Sequence, residues 1–168
     1  MSSAGNYFIR TASRRDLPAV RALLVETWHD TCDSIYGAAR VGEITDSWHS
    51  PEALEARLGQ PNSEFVIADN GSEIAGMAYA VSGEGGGALH LQQLYVLPAR
   101  QRLGIGRALL AEIEDSFPEA REIRLEVEEA NASAIAFYVA NGFSRLGRAD
   151  AADQTAGSLP ALIYGKTL

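Results

Sequence analysis

Residues Gln101–Gly106 read QRLGIG and connect a strand-like segment to a helical one. Before them, the apolar run Leu89–Val96 is closed by Pro98. After them, apolar residues recur at steps of three and four, which is typical of an amphipathic helix. They are Ile105, Ala108, Leu109, Ile113 and Phe117. Glycines at such a turn let a ligand approach the backbone, and the first amides of a helix have no intrahelical partner. The turn is therefore predicted to bind phosphate oxygens.

The residues around this turn exclude two common nucleotide sites. A nucleoside triphosphate loop ends in Gly-Lys-Ser or Gly-Lys-Thr, whereas Arg107 follows Gly106 here. A dinucleotide fold has a third glycine at the position of Leu109. Arg100 and Arg102 stand nearby, so a diphosphate held by amides and arginines without a metal fits best, with coenzyme A as the candidate. A glycine loop that only turns the chain is the alternative.

Composition indicates a single globular domain over residues 1–168, with 46% apolar and 21% charged residues. No apolar run approaches the length of a membrane span, and the first residues lack the features of a signal peptide. A single cysteine, Cys32, favours a reducing cytoplasm and a packing role over a nucleophilic one. The net charge of −8 argues against nucleic acid as a partner and favours a cationic acceptor.

The order of predicted elements is strand, helices, three strands, helix, strand, helix, and one or two final strands. This order predicts an α/β (α+β) fold with a mixed sheet of six to seven strands and about four helices on its two faces. The clearest segments are a first strand at 7–11, a helix from 17 to 27, a helix at 50–58, a hairpin over 64–81, the strand and helix around QRLGIG, a strand at 124–127, a helix from Asn131 to Ala140 and a last strand at 159–166. Residues 28–48 have weak periodicity.

Three landmarks in this order resemble the GNAT superfamily of acyl-CoA-dependent N-acetyltransferases. They are the strand ending LYVLP, the turn QRLGIG and the helix NASAIAFYVANGF. The family turn, Q/R-x-x-G-x-G/A, is matched by Gln101, Gly104 and Gly106. The family's second helix is matched by Asn131, Ala134, Tyr138, Gly142 and Phe143. The resemblance spans nearly the whole chain and is weakest at residues 28–60, where this family sets acceptor specificity.

The resemblance implies acetyl-CoA as co-substrate and assigns residues to it. Amides from Arg102 to Arg107 would bind the pyrophosphate, the backbone of Leu94–Val96 would pair with the pantetheine arm, and Asn131 would bond that arm or only cap its helix. The full cofactor set is Leu94, Tyr95, Val96, Gln101, Arg102, Leu103, Gly104, Ile105, Gly106, Arg107, Asn131, Phe137 and Tyr138. No metal is implied.

Tyr138 is the predicted general acid, because a phenol is protonated at neutral pH and can give its proton to a departing thiolate. A backbone amide near Val96 is the predicted oxyanion donor. The base is open between His90, acting directly or through water, and ordered water alone. His90 stands eleven residues before Gln101, where some histone-acetylating relatives have a catalytic Glu.

Polar residues interrupt the strand before the turn, and the pair Gln92–Gln93 indicates a bulge and a cavity wall. Trp28, Tyr36 and Gln92 are therefore predicted to line the acceptor pocket, with His29 nearby. A core role for the aromatic residues is the alternative.

The predicted function is transfer of an acetyl group from acetyl-CoA to a primary amine of a small molecule or peptide, by direct attack in a ternary complex. A non-catalytic acyl-CoA sensor and an enzyme for longer acyl chains are alternatives. The identity of the amine and the oligomeric state stay open, with a homodimer possible through the last strand.

Overall fold

The computed structural model describes residues 6–83, 87–149 and 161–168. Its strands are β1 (Phe8–Thr11), β2 (Ser63–Asp69), β3 (Ile74–Ser82), β4 (Ala88–Val96), β5 (Glu122–Glu128), β6 (Ser144–Arg148) and β7 (Ala161–Thr167). Its helices are α1 (Leu17–Tyr36), α2 (Ala38–Trp48), α3 (Pro51–Leu58), α4 (Ile105–Ser116) and α5 (Ala132–Ala140).

The seven strands form one sheet in the order β1-β2-β3-β4-β5-β7-β6. Strands β4 and β5 run parallel, and the other neighbouring pairs of described strands run antiparallel. The parallel pair needs a crossover, which α4 supplies between the two strands. This arrangement confirms the predicted mixed sheet.

Helices cover both faces of the sheet, because alternate residues of its central strands are apolar on each side. Val66 of β2 packs with Leu109 of α4 on one face, whereas Ile67 packs with Leu24 of α1 and Leu54 of α3 on the other. Strands buried on both faces read as continuous apolar runs, as β2 and β3 do.

A bulge interrupts β4 where the sequence predicted one. Tyr79 of β3 pairs with Gln93, while the next residue, Ala80, pairs with Leu91, so Gln92 is the extra residue. The bulge shifts the alternation of β4 and leaves Gln92 exposed beside a buried Gln93.

The described residues contain five α-helices, where the sequence predicted about four. Helix α1 continues past Thr27 to Tyr36, and α2 follows directly. The inward side chains of residues 28–48 form a small core separate from the main one. That core comprises Trp28, Cys32, Val41 and Ile44. The last strand begins at Ala161, and the first two residues predicted for it lie outside the described residues.

Candidate active site

A cavity of about 1100 Å³ lies where β4 and β5 stop pairing. The parallel ladder runs from Ala88–Glu122 to Leu91–Leu125, and the strands separate beyond it. The cavity is bordered by the loop that follows β4, by α5, by the end of β5 and by the second half of α1. It joins the segment predicted to bind phosphate to the segment predicted to bind the acceptor.

Main-chain groups of β4 point into this opening. Leu97 donates its amide to Ala75 O at 2.8 Å, on the β3 side. Because successive amides point to opposite sides of a strand, those of Val96 and Leu94 point away from β3. On that side Gln101 Nε2 donates to Val96 O at 3.1 Å. The opening therefore presents main-chain donors and acceptors along which an extended ligand can pair.

The loop after β4 has the backbone conformation of an anion-binding turn. Arg102 and Gly104 both have left-handed φ angles, 65° and 85°. Gly104 adopts this conformation at little cost and caps α4, whose helical residues begin at Ile105. Alternating left- and right-handed residues turn successive amides toward one point, at the positive end of the helix dipole. Arg102 and Arg107 line the same part of the cavity.

Gly106 lets α4 and α5 approach each other across the cavity. A Cβ at this position would lie 3.1 Å from two ring atoms of Phe137 and 3.8 Å from Val96 Cγ2. The Phe137 ring therefore occupies the space that a side chain would take. This contact fixes the first turn of α4 beside the wall formed by α5.

Tyr138 lies in the wall of the cavity and is held by neighbouring rings. The centroids of Phe137 and Phe143 each lie 5.4 Å from its own, in edge-on geometry. Burial raises the pKa of Tyr138 well above its ordinary value, and the nearby charge of Glu128 adds to the shift. The phenol is thus a firmly protonated donor at neutral pH.

Asn131 caps α5 as predicted, since its Oδ1 accepts a hydrogen bond from the Ala134 amide at 3.1 Å. Its side chain also lines the cavity. The capping bond uses the oxygen of the carboxamide, which leaves its amide hydrogens for a ligand. The two predicted roles of Asn131 are therefore compatible.

Most residues predicted for the cofactor line the cavity: Leu94, Tyr95, Val96, Gln101, Arg102, Gly104, Gly106, Arg107, Asn131, Phe137 and Tyr138. Leu103 and Ile105 do not. The Leu103 side chain is directed to solvent, and Ile105 is buried in the core under α4. These two residues can contribute main-chain groups alone.

Two of the three residues predicted to bind the acceptor line the cavity, and the third does not. Trp28 and Gln92 line the cavity, whereas Tyr36 packs against the small core around Trp28, beneath Arg40. His29 pairs with Asp33 at 2.6 Å and is not among the cavity residues.

His90 is exposed, pairs across the strands with Val81 and Arg124, and also lies outside the cavity lining. The cavity geometry gives no support to His90 as the base. The prediction that it acts as one stays a prediction.

Sequence reasoning missed the carboxylates of the acceptor side. Glu126 and Glu128 of β5 and Asp30 of α1 all line the cavity. A signal was present, because in LEVE the apolar Leu125 and Val127 alternate with the two glutamates at the end of a strand. Glu126 directly follows the last β4–β5 pair, and Glu128 lies two residues further along the opening.

A buried polar cluster lies behind the acceptor side. Gln93 Nε2 is 3.3 Å from His49 Nδ1, and His49 is 1% exposed. Trp28 Nε1, His49 Nε2 and Gln93 Oε1 have no hydrogen-bond partner among the described residues. Burial lowers the pKa of His49 to about 3, helped by the charges of Arg57 and Arg21. His49 is therefore neutral and is a poor proton acceptor.

Within 6–83, 87–149 and 161–168, no group of His, Cys, Asp or Glu side chains is arranged to hold a metal ion. The same residues include no helix that is long and apolar enough to span a bilayer.

Comparison with known proteins decides the family. Residues 20–143 match the Acetyltransferase (GNAT) family over well more than half of the chain. The chain belongs to the GNAT family. The resemblance drawn from the QRLGIG turn and the second helix is thereby confirmed, together with the assignment to acyl-CoA-dependent acetyltransferases.

Two N-acetyltransferases are similar in sequence to this GNAT protein. It is 33% identical over 119 residues to N-alpha-acetyltransferase RimI of Mycobacterium tuberculosis, covering 69% of this chain and 72% of the relative. It is 28% identical over 138 residues to the peptidyl-lysine N-acetyltransferase YiaC of Escherichia coli K12, covering 80% and 82%.

Solved structures confirm the GNAT fold. PaiA N-acetyltransferase from Thermoplasma acidophilum, solved in complex with coenzyme A, superposes with a TM-score of 0.84 at 24% identity, covering 96% of this chain and 99% of that one. A ribosomal-protein-alanine N-acetyltransferase from Brucella melitensis superposes with a TM-score of 0.72 at 24% identity, covering 96% and 99%.

Proposed function

We propose that this GNAT protein transfers the acetyl group of acetyl-CoA to a primary amine of a peptide or protein by direct attack in a ternary complex. The observation that carries the proposal is a cavity that joins a phosphate-binding turn, a buried protonated tyrosine and a group of carboxylates. Amide formation from a thioester requires these three features, because it needs a binding site for the cofactor, a general acid and a general base.

Coenzyme A would be held mainly by main-chain groups. The amides of the loop at 102–107 suit its diphosphate, and Arg102 and Arg107 add positive charge. The outward amides of Leu94 and Val96 suit the peptide-like pantetheine arm. The cavity between the separated strands has room for this arm.

Acetyl transfer forms a C–N bond and breaks the C–S bond of the thioester. The amide of Val96 is our proposed donor to the carbonyl oxygen as negative charge develops on it. Tyr138 then gives its proton to the departing thiolate of coenzyme A, which leaves as the thiol. The raised pKa keeps Tyr138 protonated at neutral pH. The second proton that the nitrogen loses, after it has attacked, restores the phenol once the thiol has formed.

The amine must lose a proton, and Glu126 is our proposed acceptor of it, directly or through one water. Glu126 borders the cavity at the position where β4 and β5 separate, next to the bulged Gln92. We propose Glu126 as the base in place of His90, because His90 lies outside the cavity lining. Neutral His49 does not compete for this role.

A peptide or protein amine is favoured as the acceptor by two observations. The relatives named above are an N-alpha-acetyltransferase and a peptidyl-lysine N-acetyltransferase. The described residues on the acceptor side of the cavity include three carboxylates and no basic side chain, which suits an ammonium group.

The test is release of free thiol from acetyl-CoA with a panel of peptides, amino acids and diamines. We expect turnover with peptides that is abolished when their amine is blocked. Calorimetry with acetyl-CoA alone should show binding at one site. Binding without turnover across the panel would contradict transfer and favour a sensor of acyl-CoA.

A further inference from the structure

Glu128 is the last residue of β5 and borders the cavity on the acceptor side. Of the other glutamates in this stretch, Glu122 pairs with Arg124 at 3.1 Å and Glu129 with Arg148 at 2.7 Å, whereas Glu126, like Glu128, has no ion pair among the described residues. Among the described residues no cation lies within ion-pair distance of Glu128. The remaining segments, 1–5, 84–86 and 150–160, contain no Lys, Arg or His. Within the described part of the chain, this carboxylate thus has no basic partner.

The titratable groups on which the charge of Glu128 acts are neutral at pH 7. Its negative charge acts on Cys32 and Tyr36 of α1, on Tyr95 of β4 and on Tyr138 of α5, and raises the pKa of each. Burial in turn raises the pKa of Glu128 itself. A partly buried carboxylate without a counterion costs free energy, and a cation supplied by a ligand relieves that cost.

The charges that line the cavity are segregated. The two cationic side chains lie at the phosphate-binding end, Arg102 in the loop after β4 and Arg107 in the first turn of α4. Asp30, Glu126 and Glu128 are the acidic ones, and they lie at the acceptor end. A ligand cation that enters from the acceptor side therefore meets no basic side chain among the described lining residues.

We propose that Glu128 selects acceptors that carry a second positive charge a few bonds from the reacting amine. Glu126 and Glu128 lie on the same side of β5, two positions apart, or about 6.6 Å along the strand. The reacting nitrogen, placed near Glu126 by the proposed function on which this inference rests, has to become neutral before it attacks. The second cation keeps its charge throughout, so its contact with Glu128 persists and sets specificity.

The experiment compares matched acceptors that differ in one charge. One pair of peptides is identical except for Lys or norleucine after the N-terminal residue. The other pair is butane-1,4-diamine and butylamine. The value of kcat/KM is measured by thiol release for wild type, Glu128→Gln and the control Glu129→Gln, whose position is adjacent but outside the cavity lining.

We expect wild type to prefer the charged member of at least one pair, and Glu128→Gln to reduce this preference about tenfold, mainly through KM. Glu129→Gln should keep the preference. Acetyl-CoA binding by calorimetry should be unchanged in both variants, which shows that the cofactor half is intact. A preference limited to the peptides identifies a basic peptide as the source of the cation, and one limited to the diamines identifies a small polyamine; either supports the proposal.

Three results would overturn it. The preference could survive in Glu128→Gln, both members of a pair could lose activity equally, or Glu129→Gln could reduce the preference as much. Each of these requires an active wild type. A wild type that binds acetyl-CoA and acetylates no acceptor instead contradicts the proposed function, and this inference with it.

Discussion

The two halves of the cavity recognise their ligands in different ways. The cofactor half uses main-chain amides of one continuous segment, a left-handed Gly104 and two arginines. The acceptor half uses side chains from α1, β4 and β5, which are far apart in the sequence, and its charge is negative. Main-chain recognition depends on local conformation and tolerates changes in side chains, whereas side-chain recognition changes with each substitution.

This difference has a consequence for how the protein can vary. A glycine or a cap that shapes the cofactor half has few replacements, because a Cβ or a changed φ angle alters the main chain itself. In the acceptor half, substitution of a single carboxylate can change which acceptors the enzyme prefers while the fold stays intact.

Tyr138→Phe tests the point where the halves meet. The variant keeps the ring contacts with Phe137 and Phe143 but removes the proton donor. We expect kcat to fall by about 100-fold or more, with cofactor affinity unchanged. Stopped-flow or steady-state thiol release, together with calorimetry, measures both. Tyr164→Phe, also buried but outside the cavity lining, is the control and should keep full activity. Unchanged turnover in the first variant excludes Tyr138 as the acid.

Gly106→Val should damage the cofactor half alone. Its Cβ would contact the Phe137 ring at 3.1 Å, and the added methyl groups would displace that ring or the helix end. We expect affinity for coenzyme A to fall by at least about tenfold in calorimetry. Acceptor KM at saturating cofactor should change little. Gly42→Ala, in α2 with open space around its Cβ, is the control and should bind normally. Normal binding by Gly106→Val would refute the assignment of the loop.

Arg107→Gln should weaken the cofactor half by a smaller amount. The side chain is exposed, so its attraction for the diphosphate is screened by solvent and salt. We expect affinity to fall a few-fold at low ionic strength, about two- to fivefold, and to approach that of wild type at high salt. Titrations at several salt concentrations measure this. Arg121→Gln, remote from the cavity lining, should follow the wild-type salt dependence. A loss that persists at high salt would contradict an electrostatic role.

Glu128→Gln, in the acceptor half, should have the smallest of these effects, a change in the free energy of unfolding. Burial raises the pKa of Glu128, so in the wild type its contribution favours folding below the ordinary glutamate pKa of about 4.3 and is lost as pH rises through the folded-state value. At pH 7 the variant should therefore be as stable as wild type or more stable by about 1 kcal/mol.

Chemical denaturation between pH 4 and pH 7 tests this. The groups on which the charge of Glu128 acts, Cys32, Tyr36, Tyr95 and Tyr138, all have raised pKa values and stay neutral over this range. The stability difference should disappear toward pH 4. A variant that is clearly less stable at pH 7 would reveal a favourable contact of Glu128 within the protein.

Local patterns predicted the cofactor half well. The QRLGIG turn, the Asn131 cap and the bulge at Gln92 each depend on residues close together in sequence, where glycine, capping chemistry and alternation have direct structural meaning. The exposed Leu103 and the buried Ile105 show the limit of motif-based prediction. A motif identifies the residues of a site, but it does not say which of them contact the ligand through side chains and which through main-chain groups.

The acceptor half was harder to predict. Tyr36 and His90 have suitable chemistry, but α1 and β4 direct them away from the cavity, to a small core and to solvent. Glu126 and Glu128 resemble ordinary surface residues of a strand until α1 is placed beside them. Helix α1 itself continued beyond its clear apolar stripe because Trp28 and Cys32 found partners on α2.

The sequence by itself determined the fold class, the GNAT family and the phosphate-binding turn, because these depend on periodicity, glycine conformation and short-range spacing. The tertiary structure alone decided which acidic and aromatic side chains share the acceptor space, and which candidate base faces it. Those relations join residues more than sixty positions apart, and the direction of a side chain there follows from strand register and helix packing that no local pattern specifies.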